Sequence, residues 1–484
     1  MFLVVGDDSG LIREQLVTEG LNGSFHATDV LGKGMDAYDL ILVCKPEFTR
    51  ADEAKRLNAW LDASKKVILI SPLGALETFA GLSAAFSLDV GYLTDPGTKE
   101  FLQIFSHTGY PGIQGEYPVL DHQKQATGSH AILKKKMGKG WGYVICFDLC
   151  RTLFSLFQGE APGYLFRDEK GRPRIDFGCR VQPDLKTVPQ ADQIRRLLIT
   201  LIEKNLPHPL PRVWYFSDSA LACMAVTHDS DGASDKDLKR VQAMDREKKI
   251  TPTVFMMVSD GKPWSWKKTV ADLQLHPVLY YRFPLGLNRL GAWLSLKKKY
   301  GFWQWLFYVQ AGLFQRFSSR PLQGIRNHGL VMPPLPGHLD TLEKLGVSYD
   351  ATFGSNYYCG YLYGTGKPYF LRYPGPHQPS DILEFPLHVM DSVFIQGFGR
   401  EWGKKDPFES IRSLMDDART RYHSLLTVNF HHYFLLHPDG QTNNRDLYEA
   451  IIDYAADQEI QLVNLTWFNR FNSPTESPGL RHNR

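Results

Sequence analysis

The chain has 484 residues, 43% hydrophobic and 22% charged, the make-up of a globular protein long enough for more than one domain. Disorder, collagen and coiled coil are excluded for its bulk. Fifty-five Lys and Arg against fifty-two Asp and Glu leave a net charge of +3, too even a balance to point to nucleic acid or an anionic membrane as the partner.

The N-terminal MFLVVGDDSG has a five-residue apolar start with no basic region ahead of it. It is unlike a secretory signal, so a cytoplasmic location is expected. No apolar run approaches the roughly 20 residues that span a bilayer. Cys44, Cys146, Cys150, Cys179, Cys223 and Cys359 are scattered without a C-x-x-C pair, and read as reduced thiols.

Residues 1 to 70 alternate short apolar runs with helical patterns: FLVV, SGLIREQLVTEGL, SFHATDV, YDLILVC, RADEAKRLNAWLDASK and KVILISP. Buried strands separated by helices predict βαβ units in a doubly wound, flavodoxin-like parallel sheet. ATGSHAILKKKMGKGWGYVICFDL follows as a hairpin around Gly-Lys-Gly, then the helix QADQIRRLLITLIEKNL. That helix stops at PHPLPR, because proline cannot continue it, and a linker is expected at 206–212. Residues 472–484 form a polar tail.

The layout of residues 1–205 resembles the class I glutamine amidotransferase-like fold. That resemblance implies a nucleophilic cysteine on the turn after KVILISP, but Ser71 and Pro72 stand there. Cys44 ends an earlier strand. This domain is therefore expected to be non-catalytic.

The chemistry concentrates in ALACMAVTHDSDG, an apolar strand ending in Asp229 and Asp231. Two residues apart on an extended chain, the two side chains share one side. Paired acids are costly unless a cation or proton lies between them. Downstream, His276 closes a short apolar stretch and His328 follows QGIRN. One carboxylate oxygen and two imidazoles are a reasonable open ligand set for Zn2+ or a similar divalent ion.

Residues 213–471 resemble the polysaccharide deacetylases, the NodB-homology carbohydrate esterases. The resemblance rests on Thr227-His228-Asp229-Ser230-Asp231-Gly232, Leu275-His276-Pro277 and Arg326-Asn327-His328, followed in order by residues 338–354, 381–387 and 425–440. The common family pattern has a second histidine four residues after the first; here Tyr280 stands there, so a third ligand must come from His328.

The resemblance implies a distorted (β/α)7 barrel that hydrolyses an N-acetyl or similar acyl group on a carbohydrate. It implies that Asp231, His276 and His328 hold the metal and that Asp229 is the general base. Arg326 would keep Asp229 ionised, and His431 or His432 would protonate the leaving amine. Adjacent strand residues face opposite ways, so only one of these histidines can face the pocket, and His431 is favoured. His338, His377, His388 and His437 carry no spacing argument, and Asp350 reads as structural. An inert carbohydrate-binding component, or a metal-free C–N hydrolase on the same barrel, are the competing readings.

Residues 300–317 hold eight aromatics directly after Lys297, Lys298 and Lys299. A peripheral membrane contact, a packed helix of the barrel and an aromatic surface for sugar rings are all compatible with that pattern. The oligomeric state is not encoded in any motif.

Overall fold

The β-branched runs of the N-terminal region become strands: β1 (Phe2–Val5), β2 (Phe25–Thr28), β3 (Leu40–Val43) and β4 (Lys66–Ile70). The computed structural model describes residues 1–484 apart from 33, 51, 96–97, 160–180, 232, 259–269, 280–300, 376, 396–398, 400, 402, 404–405, 437–443 and 473–484. Gly232, Tyr280, Cys179, the run Lys297–Tyr300, His437 and the tail from 473 thus lie outside the described residues. The protein is mixed α/β and divides into two compact units. The first is Met1–Leu156 with Gln190–Tyr215, the second Phe157–Pro189 with Phe216–Arg484.

In the first unit β1 to β4 are parallel, linked by α1 (Leu11–Thr18) and α2 (Glu53–Asp62) among other segments. Leu3, Val5, Ile41, Val43, Val67 and Leu69 pack on one face against Leu57, Trp60 and Leu61 of α2. Asp7 takes the place of a capping residue at α1, accepting from the backbone N–H groups of Ile12 (3.3 Å) and Arg13 (2.8 Å), donors that a helix start leaves unpaired. The short helix α3 (Gly74–Phe79) follows β4.

The sheet is not parallel throughout, as expected from the sequence, but mixed. Among the described residues its nine strands run in the order β2-β1-β3-β4-β9-β8-β7-β5-β6, where β5 (Phe86–Thr94), β6 (Phe101–Gly109), β7 (Gly115–Leu120) and β8 (Ala126–Met137) pair antiparallel. The hairpin read around Lys139 is β8 with β9 (Gly140–Ile145). Residues 86–94 show why the rest was missed: their burial alternates along a half-exposed strand, a weaker signal than the fully apolar runs of β3 and β4. Helix α4 (Leu149–Gln158) spans the boundary between the units, and α5 (Gln190–Asn205) returns to the first.

Phe157–Pro189 clusters with the second unit, although it falls inside the 1–205 span read as one domain. Gln158 exchanges two hydrogen bonds with the Arg372 backbone (2.9 and 2.6 Å). The Phe157 ring stacks on Tyr369 at 4.8 Å, and Lys186 pairs with Glu401 at 2.6 Å.

The second unit is built on a second sheet, of ten strands among the described residues. Its parallel run is β14 (Tyr349–Asp350), β13 (Gly324–Ile325), β12 (Asp272–Leu275), β11 (Thr253–Met256), β10 (Cys223–Asp229), β18 (Leu425–His431) and β17 (Val389–Met390). On the β14 side follow β16 (Pro379–Glu384), parallel, and β15 (Tyr369–Arg372), antiparallel to it; β19 (Gln461–Val463) pairs with β10. Helices follow many of the strands. Among them are α6 (Asp235–Glu247), closed by a Ser234–Asp237 capping box, α7 (Gly301–Ser318), α8 (Leu335–Lys344), α9 (Pro407–Asp417), α10 (His432–Leu436), α11 (Asn444–Asp457) and α12 (Leu465–Asn472).

This sheet must curl. Strands lie about 4.8 Å apart, so a flat sheet would separate β13 from β18, four strands away, by about 19 Å. Yet Arg326, just after β13, reaches Asn429 on β18 at 2.6 Å. Curling brings the C-terminal ends of β10, β12, β13 and β18 around one space. Helix α7 buries Leu306, Phe307, Ala311 and Phe314, while Trp305, Tyr308 and Phe317 remain exposed. Among the described residues no helix is long and apolar enough to cross a membrane.

Candidate metal centre

Asp231 lies two residues beyond the last residue of β10, His276 directly after β12 and His328 three residues after β13. Their side chains meet. His276 Nε2 lies 3.0 Å from Asp231 Oδ1 and His328 Nε2 lies 2.6 Å from Asp231 Oδ2. The two imidazoles are perpendicular, 5.2 Å between centroids, and one donor atom from each of the three residues lies within 4.8 Å of the other two.

The tautomer of His276 tests whether a cation suits this cluster. Its Nδ1 is 2.6 Å from the Arg326 carbonyl, which can only accept, so Nδ1 carries a proton. In a neutral imidazole Nε2 then presents a lone pair to the Asp231 carboxylate, also a lone pair. Both Asp231 Oδ1 and His276 Nε2 are buried without a hydrogen bond among the described residues. Either a second proton on the ring or a cation between the atoms resolves this, and a carbonyl behind the distal nitrogen is the usual support of a metal-binding histidine. Burial pushes Asp231 up, but His276 and His328 outweigh it and hold its carboxyl well below the usual range. The residues fit a divalent cation. Asp231 and His328 have side chains 24% and 23% exposed, against 1% for His276, so the cluster opens to solvent on the Asp231–His328 edge.

Asp229 is separate from this trio and closed in. Arg326 Nη1 donates to its Oδ1 and Asn429 Nδ2 to its Oδ2, both at 3.1 Å. His276 Nε2 and His431 Nε2 lie 3.9 and 4.0 Å from Oδ2. Burial raises its pKa, and Arg326, with His276 and His431 beside it, more than offsets that, leaving the carboxyl below its usual range. Arg326 is itself fully buried. Its Nη1 also contacts Thr227 Oγ1 (2.8 Å), its Nε donates to the Ala351 carbonyl (3.0 Å), and the guanidinium lies 4.4 Å over the Phe255 ring.

Of His431, which ends β18, and His432, which opens α10, it is His431 that faces Asp229. Its Nδ1 and backbone N–H meet the two oxygens of buried Asp391 at 2.6 and 2.7 Å. Burial alone would lower its pKa, but Asp391 and the two site aspartates push it up to about 10. His432 points the other way: its Nδ1 bonds the Asp229 carbonyl at 3.0 Å and its ring lies 5.0 Å from His228. Burial, with His228 beside it, drops it to about 3. Asp350 accepts from the backbone of Thr352 at 2.9 Å. Among the other histidines His388 bridges the Thr365 carbonyl (2.9 Å) and the Thr427 N–H (3.0 Å), while His338 lies 3.7 Å from Asp350.

Asn429, Asp391 and Glu384 were not singled out from the sequence. Asn429 had a readable signal: it shares a strand face with Thr427 and His431, a polar residue inside an otherwise apolar run. Asp391 had none, standing 40 positions before its partner.

No family model matches the chain, and no curated protein matches it. Solved structures similar to part of it include a protein named as a polysaccharide deacetylase from Mycobacterium smegmatis, 14% identical, covering 54% of this chain and 92% of that one, TM-score 0.39. A protein named as a polysaccharide deacetylase involved in O-antigen biosynthesis from Bordetella bronchiseptica is 14% identical over 49% of this chain and 81% of its own, TM-score 0.28. A mutant of a CE4 family pseudoenzyme with restored activity is 8% identical over 51% and 67%, TM-score 0.28. Likenesses of this extent assign neither a family nor an activity to the chain.

Proposed function

We propose that residues 213–471 are a metal-dependent hydrolase of the polysaccharide deacetylase type, on a distorted (β/α)7 barrel, removing an N-acetyl or similar acyl group from a carbohydrate. The observation that carries this reading is the pairing of two acids with different surroundings. Asp231 sits with two imidazoles in a cation-binding set, while Asp229, 2% exposed, is ionised by Arg326 and left free of that set. The first unit is read as an accessory, amidotransferase-like domain without chemistry of its own.

Asp231, His276 and His328 would hold the ion. When bound, a divalent cation of the zinc type polarises an acyl oxygen and makes water a stronger acid. Asp229 takes the proton from the attacking water, because Arg326 and Asn429 keep its carboxyl ionised and aimed. His431 gives a proton from Nε2 to the leaving nitrogen, since Asp391 fixes its ring by Nδ1 and holds it protonated at neutral pH. Incubating the protein with N-acetylated oligosaccharides and measuring acetate release tests the reading. Release that stops on chelation and on Asp229→Asn supports it; none from the metal-loaded parent overturns it. Release that survives chelation favours the metal-free alternative.

A further inference from the structure

Behind Arg326 lies a second pair of acids outside the machinery just described. Asp350 ends β14 and Glu384 ends β16; the strands are parallel neighbours and the two residues are register partners. Both are fully buried. Partners at one register on adjacent strands point to the same face with their Cβ atoms about 5 Å apart.

Each carboxyl is half satisfied. Asp350 Oδ1 accepts from the N–H and hydroxyl of Thr352, and Glu384 Oε1 accepts from the Phe353 N–H at 3.0 Å. Asp350 Oδ2 and Glu384 Oε2 have no hydrogen-bond partner among the described residues. Arg326 shows the same asymmetry: its Nη1 is crowded by Thr227, Asp229 and Asn429, while buried Nη2 has no partner among them.

We propose that Asp350 and Glu384 share a single proton, carried by Glu384 toward Asp350 Oδ2, and that the resulting singly charged pair positions Arg326 and, through it, Asp229. The inference rests on the hydrolase reading for its catalytic half only. Two ionised carboxylates side by side without water would each pay a desolvation penalty and repel. Two neutral acids would leave the guanidinium with Asp229 as its one ion-pair partner among the described residues. One proton satisfies both orphaned oxygens, removing a cost that each unpaired buried polar group otherwise carries.

The charged and titratable groups facing Glu384 are Asp350 from β14, Arg326 from the end of β13 and Tyr369, its register partner on β15, whose hydroxyl donates to the Phe157 carbonyl at 2.6 Å; His338 of α8 faces Asp350 at 3.7 Å. Burial, and then Asp350, push the Glu384 carboxyl well above its usual range despite the Phe353 N–H and Arg326. Arg326 is tied to the same strand end, because its Nε donates to Ala351, the residue after Asp350. Glu384 is thus a positioning residue, two side chains removed from the base.

Infrared spectroscopy of the full chain at neutral pH tests the proton directly. A protonated carboxyl stretch that shifts in deuterated water and disappears in Glu384→Gln is expected; its absence, or its survival in that variant, overturns the proposal. In acetate-release assays Asp350→Asn and Glu384→Leu should each lower kcat by roughly 10- to 100-fold, the cost of a misplaced catalytic group, at unchanged KM and metal content. Glu384→Gln, which still offers Asp350 a donor, should recover most of what Glu384→Leu loses. Equal losses in Gln and Leu contradict the shared proton. If the parent releases no acetate, the hydrolase reading falls with the positioning role, and the infrared band decides the proton pair alone.

Discussion

Asn429 holds both members of the Arg326–Asp229 pair at once: its Nδ2 donates to Asp229 Oδ2 at 3.1 Å and its Oδ1 accepts from Arg326 Nη1 at 2.6 Å. It can do so because register pairs Thr227 with Asn429 and Asp229 with His431, so alternate residues of β10 and β18 face the same space. The amide is thus the hinge between base and cation.

Asn429→Asp keeps the acceptor for Arg326 but replaces the donor with a like charge beside Asp229. A neighbouring anion raises a carboxyl pKa, and a base works only when deprotonated. The acid limb of the kcat profile should therefore move to higher pH, with hydrolysis at neutral pH falling roughly 10- to 100-fold. Asn429→Ala, which abandons buried Asp229, Arg326 and Thr227, should cost about 1–3 kcal/mol of stability by denaturant titration.

Asp391→Asn removes the anion that pushes His431 up to about 10. The histidine must be protonated to serve as acid, so lowering its pKa moves the alkaline limb of kcat to lower pH. A pH profile of acetate release measures this. Unchanged alkaline behaviour would remove His431 from the proton-donor role.

The site was legible where side chains announce themselves by type. Asp229, Asp231, His276, Arg326 and His328 are polar residues at the ends of short apolar runs, where strand ends collect chemistry. β1, β3 and β4 were legible because buried parallel strands are nearly uninterrupted apolar runs. Asp391 and Glu384 escaped because their meaning lies in partners on other strands, which no local pattern specifies. Residues 157–189 escaped because the change of unit falls inside a continuous helix, α4, with no proline or glycine to mark it.

His107, fully buried on β6, meets Ser129 Oγ at 3.1 Å and is held neutral by burial, its pKa lowered to about 4. The unfolded ring titrates near 6.5, so between about 4 and 6.5 the unfolded chain binds more protons and stability rises with pH. Acidification through that window should cost the first unit about 3 kcal/mol. His107→Gln should flatten the dependence in denaturation curves taken across the window.

Arg195 is buried among Glu19 (2.7 Å), Asp192 (2.8 Å) and Gln15 (2.8 Å). Removing the cation takes the guanidinium from buried Asp192 and leaves Glu19 the longer contact to Arg212 at 3.8 Å. Arg195→Ala should destabilise the first unit by about 3–5 kcal/mol, read by chemical denaturation, with metal content unaffected.

Metal analysis of the purified, zinc-loaded protein tests the central claim most directly. Near one equivalent of bound ion is expected in the parent and in Asp229→Asn, with loss in Asp231→Ala, His276→Ala and His328→Ala. A parent that binds no divalent ion, or one whose bound ion survives all three substitutions, would contradict the centre.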